Sequence, residues 1–198
     1  MKKIVFVLAF ILFQSISFQV DALCFWKNVF PPQQNTLKIL FLDSNTVFAV
    51  GDKGLIMKSI DNGSNWHLQS SNTELMLQDI CFINNETGFV IGNSGIILKT
   101  SDLGVNWVKK EVETKINLKV IHVLDVNNAW VCGENGLIIH TSDGGESWKT
   151  QNSGTTGLIS DIHFSNLLHG CATGYDGFFL HTSNSGNTWS LFILLVKK

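Results

Sequence analysis

A 41-residue repeat constrains this 198-residue chain more than any other feature of its sequence. Tryptophan, glycine and aspartate recur at this spacing through four copies, and the single exception within these columns is an asparagine in the last aspartate position. Five columns held in one register do not arise by chance, and a fixed period of this length is typical of repeat architectures. The columns are Trp66, Trp107, Trp148 and Trp189; Gly51, Gly92, Gly133 and Gly174; Gly54, Gly95, Gly136 and Gly177; Asp61, Asp102, Asp143 and Asn184; and Gly63, Gly104, Gly145 and Gly186.

Each copy contains four short segments separated by turn residues, of which the first three are apolar and the fourth is the most polar; this pattern predicts an antiparallel meander of four strands. In the second copy these segments are Gln78–Phe82, Gly88–Ile91, Ile96–Thr100 and Trp107–Lys110. A four-stranded unit of about 40–45 residues is the blade of a β-propeller, and blades bury both faces only by stacking on neighbours. The sequence therefore predicts an all-β chain of β-propeller blades, an incomplete or open propeller by count, with blades at approximately 37–76, 77–116, 117–157 and 158–198.

A G-x-x-G pair lies between the second and third segments of each copy. In the second copy Gly92 and Gly95 bracket Asn93 and Ser94. Glycine adopts positive φ without steric cost, so we expect both glycines of the pair to use that freedom in a tight turn.

The eight residues that end at each repeated tryptophan fit S/T-x-D-x-G-x-x-W and are called the Asp box below. We expect the Asp or Asn side chain to accept backbone amides about two residues on, and the glycine to be left-handed. The hydroxyl residue ties the preceding strand to the turn, and the tryptophan lies between blades. Because each loop offers at most one carboxylate, apart from the extra Glu146 in the third copy, a structural role is favoured over a calcium site, and no metal is expected. The structural residues are Ser59, Asp61, Gly63, Trp66, Thr100, Asp102, Gly104, Trp107, Thr141, Asp143, Gly145, Trp148, Thr182, Asn184, Gly186 and Trp189.

With these motifs the chain resembles the bacterial neuraminidase repeat (BNR, Asp-box) propellers, in particular the photosystem II stability and assembly factors. The copy from Gly133 to Trp148 is the most similar to the family pattern, and the resemblance covers residues 37–189. It implies a lumenal or periplasmic propeller that binds a protein client, in photosynthetic members an early photosystem II subunit. Two departures weaken the photosynthetic role: the basic position before the Asp box is Lys58, Lys99, His140 and His181, never arginine, and the family closes a ring of more than four blades.

The two ends of the chain carry separate signals. Lys2 and Lys3 precede the apolar run Ile4–Phe13, which is shorter than the roughly 20 residues of a membrane span, so residues 1–22 are predicted to be a signal peptide and the protein to be secreted or periplasmic. Trp26 predicts an outer strand at 25–30, within a repeat domain at 23–198. The apolar segment after Trp189 departs from its polar counterparts, which is consistent with a truncated product of a longer gene, an open arc, or a small ring completed by self-association.

Several polar residues are candidates for a functional site. Asp79 and Asp161 share a first-strand position, with Val120 between them, and His140 and His181 share the third-strand basic position. These four are the possible binding residues. His122 and His163 form another column, for which blade packing is favoured over a metal site because the equivalent residues in the other blades are Leu40 and Cys81.

Composition favours a binding scaffold over an enzyme. The chain has no arginine and one tyrosine, Tyr175, whereas a sialidase needs an arginine cluster, a tyrosine nucleophile and an acid/base carboxylate. The alternative function is carbohydrate binding through aromatics such as Trp130 and Phe178, or a glycoside hydrolase-like activity that uses Asp161. No catalytic residue and no cofactor is expected.

The expected partner is an unknown envelope or extracellular protein. The net charge of −2 and the absence of a basic block exclude typical nucleic-acid binding. The four cysteines show no metal-ligand spacing, so free thiols are favoured, and Asp21 and Leu23 argue against a lipid-modified Cys24.

Overall fold

The computed structural model describes residues 34–193, except the side chain of Asp176. The predicted signal peptide, Cys24, the outer strand at 25–30 and residues 194–198 lie outside the described residues. Within residues 34–193 no helix has the length and apolar character needed to cross a membrane.

Within residues 34–193 four antiparallel sheets follow one another, and in each sheet the strands are ordered as in the sequence. Blade 1 contains β1 (Thr36–Phe41), β2 (Val47–Gly51), β3 (Ile56–Ser59) and β4 (His67–Gln69). Blade 2 contains β5 (Leu77–Phe82), β6 (Gly88–Gly92), β7 (Ile97–Thr100) and β8 (Val108–Lys110). Blade 3 contains β9 (Leu118–Val123), β10 (Ala129–Gly133), β11 (Ile138–Thr141) and β12 (Lys149–Gln151). Blade 4 contains β13 (Ile159–Phe164), β14 (Gly170–Gly174), β15 (Phe178–Thr182) and β16 (Ser190–Ile193).

Successive blades pack through their first strands: β1 lies against β5, β5 against β9, and β9 against β13. The four described sheets therefore form an incomplete propeller, which confirms the predicted fold class. A one-residue bulge interrupts the pairing of each first strand with its second strand, for example between Leu77 and Asp79. The position that directly follows the bulge is occupied by Asp79 in blade 2 and by Asp161 in blade 4.

The G-x-x-G pair forms a short 3-10 turn, and the expectation for its first glycine is wrong. Gly95 has φ +73° and Ser94 before it φ +56°, but Gly92 is extended with φ −172°. A Cβ on Gly92 would overlap the backbone carbonyl of Met76. The first glycine is therefore required for close backbone approach, and only the second for its left-handed conformation.

Three hydrophobic clusters join the four described blades, and each is built in the same way. The preceding blade contributes alternate residues of its second strand and one residue of its third strand, such as Phe48, Val50 and Ile56 of blade 1. The following blade contributes its first, second and third strands, such as Ile80 of β5. The row of Ile80, Ile121 and Ile162 is almost fully buried, whereas Ile39 in blade 1 is 54% exposed because no described blade precedes it.

The outer strand of blade 4 departs from the other three in composition but not in pairing. β16 pairs antiparallel with β15 along its whole length. Its residues Leu191, Phe192 and Ile193 are 40–63% exposed. An apolar outer strand thus forms where the sequence pattern predicted a poor fit.

Replacement of Gly145 by alanine tests the contact between blades 2 and 3. Gly145 has φ +85°, and a Cβ there would lie 2.5 Å from Cε1 of the buried Phe89 ring. Gly154 has φ +76° with nothing within 4 Å, so Gly154→Ala measures the backbone cost alone. We expect Gly154→Ala to lower the free energy of unfolding by about 1 kcal/mol, and Gly145→Ala by roughly 1–3 kcal/mol more because of the overlap.

Urea unfolding of the two variants and the parent chain measures this difference. Equal losses in the two variants would show that the Asp-box glycine of blade 3 does not lie against Phe89.

Candidate functional site

Side chain to backbone hydrogen bonds hold each Asp box closed. In blade 3 the Thr141 hydroxyl donates to Asp143 Oδ1 (2.8 Å) and accepts the backbone N–H of Gly145 (2.8 Å). Asp143 accepts the backbone N–H of Ser147 at Oδ1 (2.9 Å) and its hydroxyl at Oδ2 (2.6 Å). The carboxylate thus reaches an amide four residues on, further than the two residues expected from the sequence, because two left-handed residues, Gly144 and Gly145, extend the turn.

The same bonds recur in the other three boxes. Their hydroxyl, carboxylate or amide, and glycine residues are Ser59, Asp61 and Gly63; Thr100, Asp102 and Gly104; and Thr182, Asn184 and Gly186. Hydrogen bonds from the Asn65 side chain and backbone lower the pKa of Asp61 to about 2. Since these carboxylates are ionised and accept several turn donors, they are unsuited to proton transfer near neutral pH.

The tryptophans of the Asp boxes in blades 2, 3 and 4 each lie beside an aromatic ring of a blade core. Trp148 meets Phe89 of the preceding blade edge-on, with ring centroids 6.1 Å apart. Trp107 and Trp189 pack edge-on against Phe82 and Phe164, and the Trp189 Nε1–H donates to Gln151 Oε1 of blade 3 at 3.3 Å. Trp66 of blade 1 is half-buried.

The first-strand carboxylates have different environments. Asp79 is 3% exposed and joins three blades: it accepts the backbone N–H of Ile121 in blade 3 (3.1 Å) and lies 3.1 Å from the Lys38 ammonium of blade 1. Asp161 accepts the backbone N–H of Ile162 (2.9 Å) and is exposed. The two aspartates therefore share a repeat position but not an environment: Asp79 is engaged between blades, whereas Asp161 is exposed.

Sequence reasoning missed the contribution of Lys38, although the repeat contains the signal. Lys38 precedes Asp79 by 41 residues, so it belongs to the same column as Asp79, Val120 and Asp161. Equivalent positions in adjacent blades are neighbours, so opposite charges in one column predict an ion pair.

The side chains at the third-strand basic position either contact the next blade or stack within their own blade. The Lys58 ammonium donates to the Leu103 carbonyl of blade 2 (2.8 Å), and Lys99 pairs with Glu146 of blade 3 (2.9 Å). His140 stacks on Trp130, with ring centroids 4.3 Å apart. His181, like His140, is half-buried.

Glu146 is the centre of a second ion-pair contact that the sequence did not reveal. It receives both Lys99 and Lys110 of blade 2, the latter at 2.8 Å. Hydrogen bonds from Lys110 and Lys99 lower the pKa of Glu146. Residue spacing alone did not predict this contact, because the other boxes have Ser64, Val105 and Asn187 at this position.

Two aromatic candidates for sugar binding belong to the core. Trp130 is fully buried and Phe178 is 7% exposed, so neither offers a stacking surface. Tyr175 is 63% exposed at the start of a 3-10 turn.

Other candidate features lie apart from these residues. Two depressions of about 370 and 390 Å³ share residues 112–114 at the edge of blades 2 and 3, and neither is lined by Asp79, Asp161, His140 or His181. Cys81, Cys132 and Cys171 are free thiols. Within residues 34–193 no three His, Cys, Asp or Glu side chains are grouped to hold a metal ion.

Comparison with known proteins supports the resemblance found in the repeat. Residues 60–155 match the family model described as Photosynthesis system II assembly factor YCF48. The fold matches YCF48 bound to a D1 peptide, with a TM-score of 0.67 and 21% identity over 84% of this chain and 55% of that chain. Residues 60–155 are therefore similar to this family, and the fold of the described residues is that of an Asp-box propeller.

A second YCF48 structure, from Cyanidioschyzon merolae, matches with a TM-score of 0.65 and 22% identity over 83% of this chain and 58% of that one. The matched part of this chain thus spans somewhat more than half the length of these two proteins. The GH74 enzyme of Niastella koreensis shares the fold at a TM-score of 0.62 and 16% identity, over 76% of this chain and 28% of the enzyme. A search of curated proteins finds no match.

Substitutions of Asp143 test the role of the Asp-box carboxylate. Asn184 of blade 4 keeps the equivalent bonds, since its Oδ1 accepts from Thr182 and Thr188 and its Nδ2 donates to the Thr188 hydroxyl. We therefore expect Asp143→Asn to lower the free energy of unfolding by less than about 1 kcal/mol. Asp143→Ala should lower it by about 1–2 kcal/mol, because the Ser147 amide loses its acceptor.

Denaturant unfolding of both variants measures these losses. If Asp143→Ala were as stable as Asp143→Asn, the turn would not depend on the side-chain acceptor.

Proposed function

We propose that the chain is an exported, non-catalytic scaffold that binds a segment of a client protein, in the manner of an assembly factor. The match of residues 60–155 to the YCF48 family carries this proposal. Binding of a D1 peptide by a YCF48 of the same fold supports a protein client. The basic, then apolar, residues 2–13 motivate the export part of the proposal.

The structural roles of the carboxylates favour a scaffold over a glycosidase. The Asp-box carboxylates accept turn hydrogen bonds, and Asp79 is buried in an ion pair with Lys38. A glycosidase needs two carboxyl groups that face one substrate bond. Since Asp79 holds three blades together, it is poorly placed to act with Asp161 as such a pair.

Among the four possible binding residues, Asp161 has the environment of a contact residue. Asp79 is buried, and His140 and His181 are half-buried on the third strands. Asp161 is exposed on β13 beside the exposed Ser160 and His163. We propose that these three residues form part of the client surface, and that Asp161 contacts a basic group of the client.

A charge-reversal pair tests this surface. Affinity capture from the cell envelope, followed by anisotropy titration of the captured client and of a D1 peptide, measures binding. We expect Asp161→Lys to weaken binding about tenfold or more, because it places a cation against the client's basic group. Glu111→Lys makes the same charge change at an 85% exposed side chain of blade 2 and should leave binding unchanged.

Equal binding by the two variants would remove Asp161 from the client surface, and failure to capture a client at low or high salt would contradict the scaffold itself. The intact mass of the envelope-purified chain, expected to start at Leu23, tests export.

The second candidate function is carbohydrate binding or glycoside hydrolysis, and the GH74 fold neighbours motivate it. One of them is a xyloglucanase from Xanthomonas campestris, with a TM-score of 0.57 and 11% identity over 81% of this chain and 32% of that enzyme. Incubation with xyloglucan distinguishes it from the scaffold. Turnover that disappears in Asp161→Asn would replace the scaffold proposal with a hydrolase.

A further inference from the structure

Imidazole side chains are concentrated at the contact between blades 3 and 4. One first-strand column faces the following blade, and it contains Leu40 at the contact of blades 1 and 2 and Cys81 at the contact of blades 2 and 3. At the contact of blades 3 and 4 this position is His122. The same sequence column therefore places a group that titrates near neutral pH at one blade contact only among the three described.

His122 meets two groups of β13. Its ring centroid lies 4.4 Å from that of His163, and its Nε2 lies 3.1 Å from the Phe164 carbonyl oxygen. Because a carbonyl only accepts, Nε2 is the protonated nitrogen of the neutral ring. A second proton on the half-buried His122 would therefore place a cation against the exposed His163 ring.

His140 adds a second imidazole to the same contact. It stacks on Trp130, which in turn stacks on Phe164 of blade 4 with ring centroids 3.6 Å apart. The equivalent Lys58 and Lys99 extend to polar groups of the next blade. His140 Nε2 is instead buried without a hydrogen-bond partner among the described residues.

The charged neighbours of these rings are few. His163 and Asp161 of β13 face His122, where His163 opposes and Asp161 favours its protonation. Asp125, in the turn before β10, favours protonation of His140, and Lys149 of β12 opposes it. Burial is the largest effect on both rings, and it lowers the pKa of His122 and of His140.

We propose that the contact between blades 3 and 4 is a pH-sensitive hinge, which loosens when His122 and His140 are protonated while blades 1, 2 and 3 stay packed. Both rings bind a proton less readily in the folded chain than in the unfolded chain. Their contribution to stability is therefore complete above the unfolded pKa of about 6.5 and is lost as the pH falls below it. Mild acid would thus release β13–β16 and expose the apolar surface around Trp130 and Ile162.

The other two contacts provide an internal reference. The contact of blades 2 and 3 contains Cys81, whose pKa burial raises, and Glu146, whose pKa its lysine partners lower. Neither group changes charge between about pH 5.5 and 7.5. The blade 1 to blade 2 contact uses Lys58, the ion pair of Lys38 with Asp79, and apolar residues.

Hydrogen exchange measured by mass spectrometry at about pH 7.5 and 5.5, corrected for intrinsic exchange, tests the hinge. We expect amides of β13–β15 to lose about tenfold in protection on acidification, while those of β5–β7 stay within about twofold. His122→Leu, which installs the residue found at Leu40, should remove most of this loss. His67→Gln, a change at an exposed histidine of β4, should retain it in full.

Equal changes in β5–β7 and β13–β15 of the parent chain would contradict the hinge even if a variant failed to fold. Retention of the full loss in a folded His122→Leu would contradict it too. The variant His140→Lys installs the residue found at this position in blades 1 and 2, and it should partly reduce the loss of amide protection in β13–β15. A larger loss of protection in this variant would exclude His140 from the hinge.

Discussion

The hydroxyl–carboxylate–amide network of the Asp box is the constraint on which the rest of the structure depends. It fixes two successive left-handed residues after the third strand, for example Asn62 and Gly63 with φ +57° and +83°. That turn directs the chain into the fourth strand and places the tryptophan beside the core. The carboxylate accepts a backbone amide four residues on that no strand partner reaches, so its loss would leave that donor without a protein acceptor. The network repeats in four blades with the same bonds, even where asparagine replaces aspartate in blade 4.

Packing between blades follows from that repeated corner, but the chemistry of each contact differs. Lys58 donates to a backbone carbonyl of the next blade, Lys99 pairs with Glu146, and His140 stacks on a tryptophan. Near the bulge of the first strands, Asp79 links Lys38 to the backbone of blade 3. One backbone geometry therefore accommodates cation, ion-pair and aromatic contacts at the same repeat position. Because the residue at such a position varies from blade to blade, the contact of blades 3 and 4 has histidines where the other contacts do not.

The repeat predicted the fold because its period reports a backbone geometry that all copies share. It placed the sixteen described strands and the glycines of the Asp boxes, and Cys81, Cys132 and Cys171 are free as expected. It was wrong for Gly92, because spacing does not distinguish a left-handed residue from one that excludes a Cβ. It missed Glu146, since a contact peculiar to one pair of blades leaves no column in the sequence. Asp79 and Asp161 illustrate the same limit, because equal positions have unequal neighbours.

Hydroxyl-radical footprinting of the tryptophans tests the central claim most directly, namely that the Asp-box corner places its indole inside the stack of blades. Trp107 is 5% exposed and Trp130 is fully buried. In the native chain both should be oxidised about tenfold more slowly than in the urea-unfolded chain, and Asp102→Ala should accelerate oxidation of Trp107 more than that of Trp130. Oxidation of Trp107 at the unfolded rate in the native chain would contradict the account.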